Sequence, residues 1–136
     1  MLTVNYLAVV ISLVAYTVLG MLWYGPLFGK KWVRFSGMAD KDMSSPEMKK
    51  AQIAGYVSSL ISSFIAVLTL AAVMKGLGIT DPINGLLLGA GLGFGLISAT
   101  LVGEAAWHGT PWALVLINGA YRICGLGLAG LIIGLW

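Results

Sequence analysis

The chain has 136 residues, of which 59% are hydrophobic and 10% charged, with a formal net charge of +3. Soluble domains usually carry about 45–50% apolar and about 25% charged residues, so a water-solvated globule is excluded and lipid is the expected solvent. The small positive balance gives no basis for nucleic acid as a partner, and the single cysteine, Cys124, rules out an intrachain disulfide.

Residues 4–23 form an uncharged apolar run. About 20 such residues span a hydrocarbon core about 30 Å thick. No Lys or Arg precedes the run and no small-x-small cleavage site follows it, so it is expected to be a retained anchor rather than a signal peptide. The long connection, residues 25–51, then holds Lys30, Lys31, Arg34, Lys41, Lys49 and Lys50, six of the eight Lys and Arg residues. Loops with such an excess stay in the cytoplasm, which puts both termini outside. Residues 29–35 read as a short amphipathic piece lying on the inner leaflet. Lys30, Lys31, Arg34, Lys49 and Lys50 are expected to meet anionic headgroups, at about 1 kcal/mol each.

Ser45-Pro46-Glu47 combines an N-cap, a proline at the first helical position and an acid in the first turn, so the second helix should start near Pro46. Its span covers residues 53–74 and closes at Lys75, with Gly76 as the expected cap. Asp81-Pro82 opens the third helix in the same way, with a span over residues 85–107. Two small-residue stripes run along it: Gly85, Gly89 and Gly93 on one side, and Gly91, Gly95, Ala99 and Gly103 on the other. His108-Gly109-Thr110-Pro111 makes a tight turn into the fourth span, residues 112–136, which carries Gly130 and Gly134. Lipid tails are as apolar as leucine, so helices associate through close approach at small residues. Gly85, Gly89, Gly93, Gly130 and Gly134 are therefore candidate packing positions. The second span has its own stripes, Ser58, Ser62, Ala66 and Gly55, Ser59, Ser63. Trp23, Tyr24, Trp32, Trp107, Trp112 and Trp136 fall where an aromatic belt anchors helix ends.

In lipid every backbone amide must be satisfied within the chain. The unbroken apolar runs therefore predict an all-α integral membrane protein, four transmembrane helices in a compact antiparallel bundle, as one transmembrane domain over residues 1–136. A faint repeat, Trp23-Tyr24-Gly25-Pro26 against Trp107-His108-Gly109-Thr110-Pro111, suggests two duplicated helical hairpins.

Few polar residues interrupt the spans. Arg122 lies near the bilayer centre, where an arginine costs about 2.5–3.5 kcal/mol on insertion scales and usually finds a partner. Glu104 is the only acid inside a span. The depths of the two differ by about 10 Å at 1.5 Å per residue, but their side chains tilt toward each other on antiparallel helices, so a direct or water-bridged pair is expected. Asn118 shares a helix face with Arg122, and Tyr121 sits on a neighbouring face. His108, at the turn, is either an interfacial residue or a proton carrier. Asn5, Tyr6, Tyr16 and Tyr56, with Asn118 and Tyr121, are candidates for hydrogen bonds between helices. No metal site, cofactor site or catalytic constellation is readable, so no enzyme activity is expected.

Three segments carry a family resemblance. They are Asn5-Tyr6-Leu7-Ala8-Val9, the block Leu22-Trp23-Tyr24-Gly25-Pro26-Leu27-Phe28-Gly29-Lys30 with Trp32, and Leu116-Ile117-Asn118-Gly119-Ala120-Tyr121-Arg122 with the terminal Gly134-Leu135-Trp136. Over nearly its whole length the chain resembles a family of small bacterial membrane proteins catalogued as domain of unknown function 1761. The resemblance implies four spans and no established activity; Glu104 and His108 lie outside the matching pattern. In the Trp-Tyr-Gly-Pro block the aromatics should anchor the span, Gly25-Pro26 should stop the helix, and Lys30 should meet the headgroups.

The reading that follows is a small inner-membrane protein of bacterial type that binds or scaffolds within the membrane. Its expected partners are membrane lipids and further copies of itself, with a dimer favoured. The alternative is an oligomeric small-solute or proton-coupled transporter with Arg122 and Glu104 in the polar pathway.

Overall fold

Asn5 starts the first helix by turning its side-chain oxygen onto the backbone N–H groups of Leu7 and Ala8, at 3.1 and 3.2 Å. These are two of the donors that a helix N-terminus leaves without partners. The computed structural model describes residues 3–136; Met1 and Leu2, at the head of the expected anchor, lie outside the described residues. Helix α1 covers Tyr6–Leu22, α2 Gly29–Ser36, α3 Pro46–Leu77, α4 Pro82–Leu92, α5 Ala99–His108 and α6 Trp112–Gly134. Among the described residues there is no strand.

Gly25-Pro26 breaks the first helix, as the sequence suggests. Pro26 has no N–H to donate, and its ring crowds the carbonyl four residues back. The chain answers with a π-helical turn, Trp23–Leu27, in which the Phe28 N–H donates to the Trp23 carbonyl at 2.8 Å. Gly25 takes φ −103° and ψ −105°, outside helical geometry. A Cβ on Gly29 would collide with the Tyr24 carbonyl. The chain kinks at Gly25, and α2 starts as a separate helix with Trp32 half-buried and Lys30, Lys31 and Arg34 exposed.

Ser45 caps α3 by accepting from the Met48 N–H at 3.2 Å. The helix runs for 32 residues, about 48 Å at 1.5 Å per residue and well beyond an apolar core of about 30 Å. Its C-cap is Gly78 (φ 68°), not Gly76. The residue after Gly78, Ile79, packs on the core and donates its N–H to the Met74 carbonyl at 2.9 Å, whereas Leu77 after Gly76 is exposed. A helix end of this kind closes where the apolar residue beyond the glycine has somewhere to pack.

Asp81 caps α4, accepting from the Asn84 N–H at 2.9 Å. A second π-helical stretch, Gly93–Ser98, joins α4 to α5, and Ser98 Oγ donates across it to the Gly93 carbonyl at 2.8 Å. Four segments are long and apolar enough to span a membrane: Tyr6–Leu27, Pro46–Leu77, Pro82–His108 and Trp112–Gly134. Each is offset by a few residues from its sequence reading because caps and π turns, not hydropathy, set the ends.

The fourth span is the centre of the bundle: 44% of its apolar window is buried, against 17–28% in the other three. The core is Val9 and Tyr16 of α1, Val67, Leu70, Ala71 and Met74 of α3, and Tyr121, Leu126 and Ala129 of α6. Val10, Val14, Phe64, Ile65, Leu87 and Phe94 point outward and are exposed, as residues that face lipid should be. The two copies of the faint repeat fold differently. Trp23-Tyr24-Gly25-Pro26 makes a π turn with a kink at Gly25 (φ −103°, ψ −105°), whereas Trp107-His108-Gly109 ends a helix on a left-handed glycine (φ 64°).

Along α4 the packing is set by glycine. A Cβ on Gly85 would fall on the Gly130 carbonyl, and one on Gly89 on the Leu126 carbonyl. A Cβ on Gly93 would lie 2.8 Å from the Arg122 carbonyl oxygen, and one on Gly134 would press on the Asp81 carbonyl. The second stripe differs: Gly91, Gly95 and Gly103 have nothing within 4 Å of a built Cβ. The α3 stripes also remain largely unused, since Ser63 is the first buried residue of that helix and residues 51–62 bury none of their side chains. The bundle is closed at the end with the termini and open at the end with the basic loop.

Candidate functional site

Trp23 and Tyr24 continue the buried face of α1, seven and eight residues after Tyr16, and meet the first half of α6. Trp23 Nε1 donates to the Ile117 carbonyl at 3.0 Å, and the Tyr24 hydroxyl donates to Asn118 Oδ1 at 2.8 Å. Tyr121 lies between them, with ring centroids 5.2 Å from Tyr24, 5.2 Å from Tyr16 and 6.3 Å from Trp23. Its hydroxyl donates to the Tyr16 carbonyl at 3.4 Å. Trp32 of α2 closes the cluster edge-on to Tyr24 at 6.0 Å. The chain accommodates these rings because the facing positions are glycines: a Cβ on Gly125 would enter the Tyr16 ring, and one on Gly20 would meet the Tyr121 hydroxyl.

Trp23 and Tyr24 are half-buried, and their polar atoms are taken by α6. Trp107, Trp112 and Trp136 are exposed at helix ends, at 90%, 60% and 56%. The signal for inward rings was helical spacing, since Tyr16, Gly20, Trp23 and Tyr24 share one face of α1.

Arg122 is partly buried beside this cluster. Its Nη1 donates to the Tyr16 hydroxyl over a long 3.5 Å, and its guanidinium sits 5.5 Å from the Tyr121 ring centre. Arg122 makes no direct ion pair with Glu104. Glu104 is exposed on α5, and its backbone carbonyl is the partner of His108 Nδ1 at 3.1 Å. The reason is packing: glycine contacts hold α4 against α6 up to Gly93, and beyond Ser98 the third span touches α6 sparsely. The carboxylate is therefore carried away from the guanidinium.

Glu104 and His108 line a different feature. A cavity of about 130 Å³ opens between α5 and α6, bounded by Leu101, Glu104, Ala105, His108, Thr110, Val115 and Asn118. Asn118 joins the two regions, since it lines this cavity and also accepts the Tyr24 hydroxyl. The five polar candidates thus divide: Glu104, His108 and Asn118 border the cavity, while Arg122 and Tyr121 belong to the tyrosine cluster. Of the other hydrogen-bond candidates, Asn5 caps its own helix, and Tyr6 and Tyr56 are exposed at 69% and 76%. Lys49 and Lys50 are exposed on the first turns of α3. Among the described residues no group of three or more His, Cys, Asp or Glu side chains could hold a metal ion.

An all-α chain with four lipid-facing spans, glycine contacts down one helix pair and an aromatic π turn docked on the fourth span defines a small polytopic membrane protein. The chain belongs to the family described as protein of unknown function (DUF1761), whose model matches residues 7–134. No curated protein and no solved structure matches it. Two of the blocks that carry the resemblance, residues 22–30 and 116–122, meet through Trp23, Tyr24, Ile117, Asn118 and Tyr121.

Proposed function

We propose that this protein acts by binding and scaffolding within the membrane rather than by catalysis, and that it does so as a homo-oligomer. The observation that carries this reading is the second glycine stripe. Gly91, Gly95 and Gly103 have the spacing of a helix-packing face, yet nothing lies against them. The first stripe shows what that spacing does in this same span, where it brings two backbones into contact. A second copy offers a matching surface about a twofold axis, the commonest arrangement for homo-oligomers. The basic loop favours an inner-membrane setting with residues 25–51 in the cytoplasm and both termini outside.

Cysteines placed at Gly91 and Gly95, with Cys124 replaced by Ser, should crosslink between copies in lipid nanodiscs. Gly95→Leu should abolish the crosslink and shift native mass spectra toward monomer. Purely monomeric wild-type protein in nanodiscs would sink the oligomer. A second reading, a small-solute or proton-coupled transporter, draws on the polar cavity at Glu104 and His108. Flux into liposomes that is lost in Glu104→Gln would favour it.

A further inference from the structure

We propose that the polar cavity between α5 and α6 binds a small primary ammonium group with an oxygen acceptor beside it, the pattern of ethanolamine, and that Glu104 is its counter-ion. This deepens the binding half of the reading above and requires neither a second copy nor flux.

The cavity exists because α5 leaves α6 after Ser98. Leu101, Glu104, Ala105 and His108 line it from α5, Asn118 from α6 and Thr110 from the turn between them. The four α5 residues are spaced three, four and seven apart, which is one face of that helix. At about 130 Å³ the space takes a group of a few heavy atoms, since one water occupies about 30 Å³ of liquid. The turn is at the same end of the bundle as the basic loop, and exposed Trp107 and Trp112 flank it, as at headgroup depth.

The two walls differ in hydrogen-bonding character. On α5, His108 Nδ1 lies 3.1 Å from the Glu104 backbone carbonyl. A carbonyl only accepts, so Nδ1 carries the proton, and Nε2 of the neutral ring is left as an acceptor. That contact uses the backbone of Glu104 and not its carboxylate, while Arg122 is turned to Tyr16. Lys30, Lys31, Arg34, Lys49 and Lys50 belong to α2 and α3, whereas α5 packs chiefly on α6. The carboxylate therefore borders the cavity without a cation of this chain beside it, and an acid within a span calls for one. One imidazole and one carboxylate are too few ligands for a metal ion. On α6, Asn118 Oδ1 is occupied by the Tyr24 hydroxyl at 2.8 Å, which leaves both Nδ2 donors. Among the described residues no buried side-chain nitrogen or oxygen lacks a partner, so Nδ2 reaches accessible space. A carboxylate on one wall and an amide donor on the other suit a ligand that carries a cationic N–H donor and an oxygen acceptor a short distance apart. An ammonium offers three N–H donors; a quaternary amine offers none.

The test uses full-length protein delipidated in detergent and two matched pairs of probes. Phosphatidylethanolamine is compared with phosphatidylcholine of the same chains by native mass spectrometry, scoring the monomer peak. Ethanolamine is compared with choline by thermal shift at equal salt. In at least one pair the primary amine should bind about tenfold more tightly than its quaternary counterpart, the ratio expected of a charge-assisted hydrogen bond. Preference confined to the lipids assigns the group to a headgroup, and preference shown by free ethanolamine assigns it to a soluble amine. Glu104→Gln should bring the ratio close to one, and Glu104→Asp should keep part of it. Equal binding within both pairs, or a wild-type ratio in Glu104→Gln, overturns the proposal. If Glu104→Gln fails to fold, a preference retained in Leu101→Trp, which fills the cavity, overturns it equally. Failure here leaves the crosslinks at Gly91 and Gly95 untouched, and a monomeric protein leaves these titrations untouched.

Discussion

The two ends of this bundle are built on different rules. At the closed end α4 and α6 touch backbone to backbone, with glycine opposite carbonyl from Gly85 and Gly130 to Gly93 and Arg122. At the open end the contacts are made by large rings and hydrogen bonds: Tyr24 to Asn118, Trp23 to Ile117, Tyr121 to Tyr16. Burial of apolar surface supplies little drive between helices in lipid. Where small residues allow close approach, dispersion and shape hold two spans along their length. Where they do not, individual polar contacts pin one helix and leave others free to diverge, as α5 and the first half of α3 do.

That contrast can be broken most sharply at the closed end. Gly85→Leu or Gly89→Leu must separate the two backbones, and should cost at least about 1–3 kcal/mol, the usual cost of overpacking. Reversible unfolding in mixed detergent measures it. The same substitution at Gly91 should leave monomer stability nearly unchanged, since its Cβ enters open space. Equal losses at Gly85 and Gly91 would show that the α4–α6 contact is not what holds this end.

At the open end the expected effects are smaller. Tyr24→Phe and Asn118→Ala remove the same hydrogen bond, worth about 0.6 kcal/mol on average between membrane helices. The double variant should cost no more than the larger single one by the same unfolding assay. Smaller still is Glu104→Gln. With its carboxylate exposed and separated from Arg122, its stability change should stay within about 0.5 kcal/mol. A larger loss would restore the pair that the fold does not make.

The smallest expected effect concerns the cap of α4. Hydrogen bonds from the Asn84 backbone and then its side chain hold the Asp81 carboxyl below the usual carboxylate range. A carboxyl with a depressed folded value adds stability above its unfolded value, about 3.9, and loses it as pH falls through the lowered folded value. Acid titration of helicity below about pH 4 should therefore show a small extra loss in wild type that is absent in Asp81→Ala. Asp81 is partly exposed, so high salt should shrink the effect.

Much of the architecture was legible beforehand, and the misses share a cause. Ser45 and Asp81 announced their helices because capping depends on residues within one turn. Gly85, Gly89 and Gly93 announced a contact because their spacing is local. Tyr16 could be named as a hydrogen-bonding residue, but not as the partner of Arg122. The face of Trp23 and Tyr24 is set by their helical spacing from Tyr16, but which atoms of α6 they meet needed the packed bundle. Gly78 displaced Gly76 as a cap because Ile79 finds a core to pack on.

The count of spans, the long basic loop and the apolar surface follow from the order of residues alone, because the transfer of each segment into lipid is a sum over its own side chains. The partner of Arg122, the separation of Glu104 from it and the opening beside α3 were decided only when the helices packed. Those depend on rotation and tilt, which a few glycines and one proline set across the whole bundle, and no single segment contains that information.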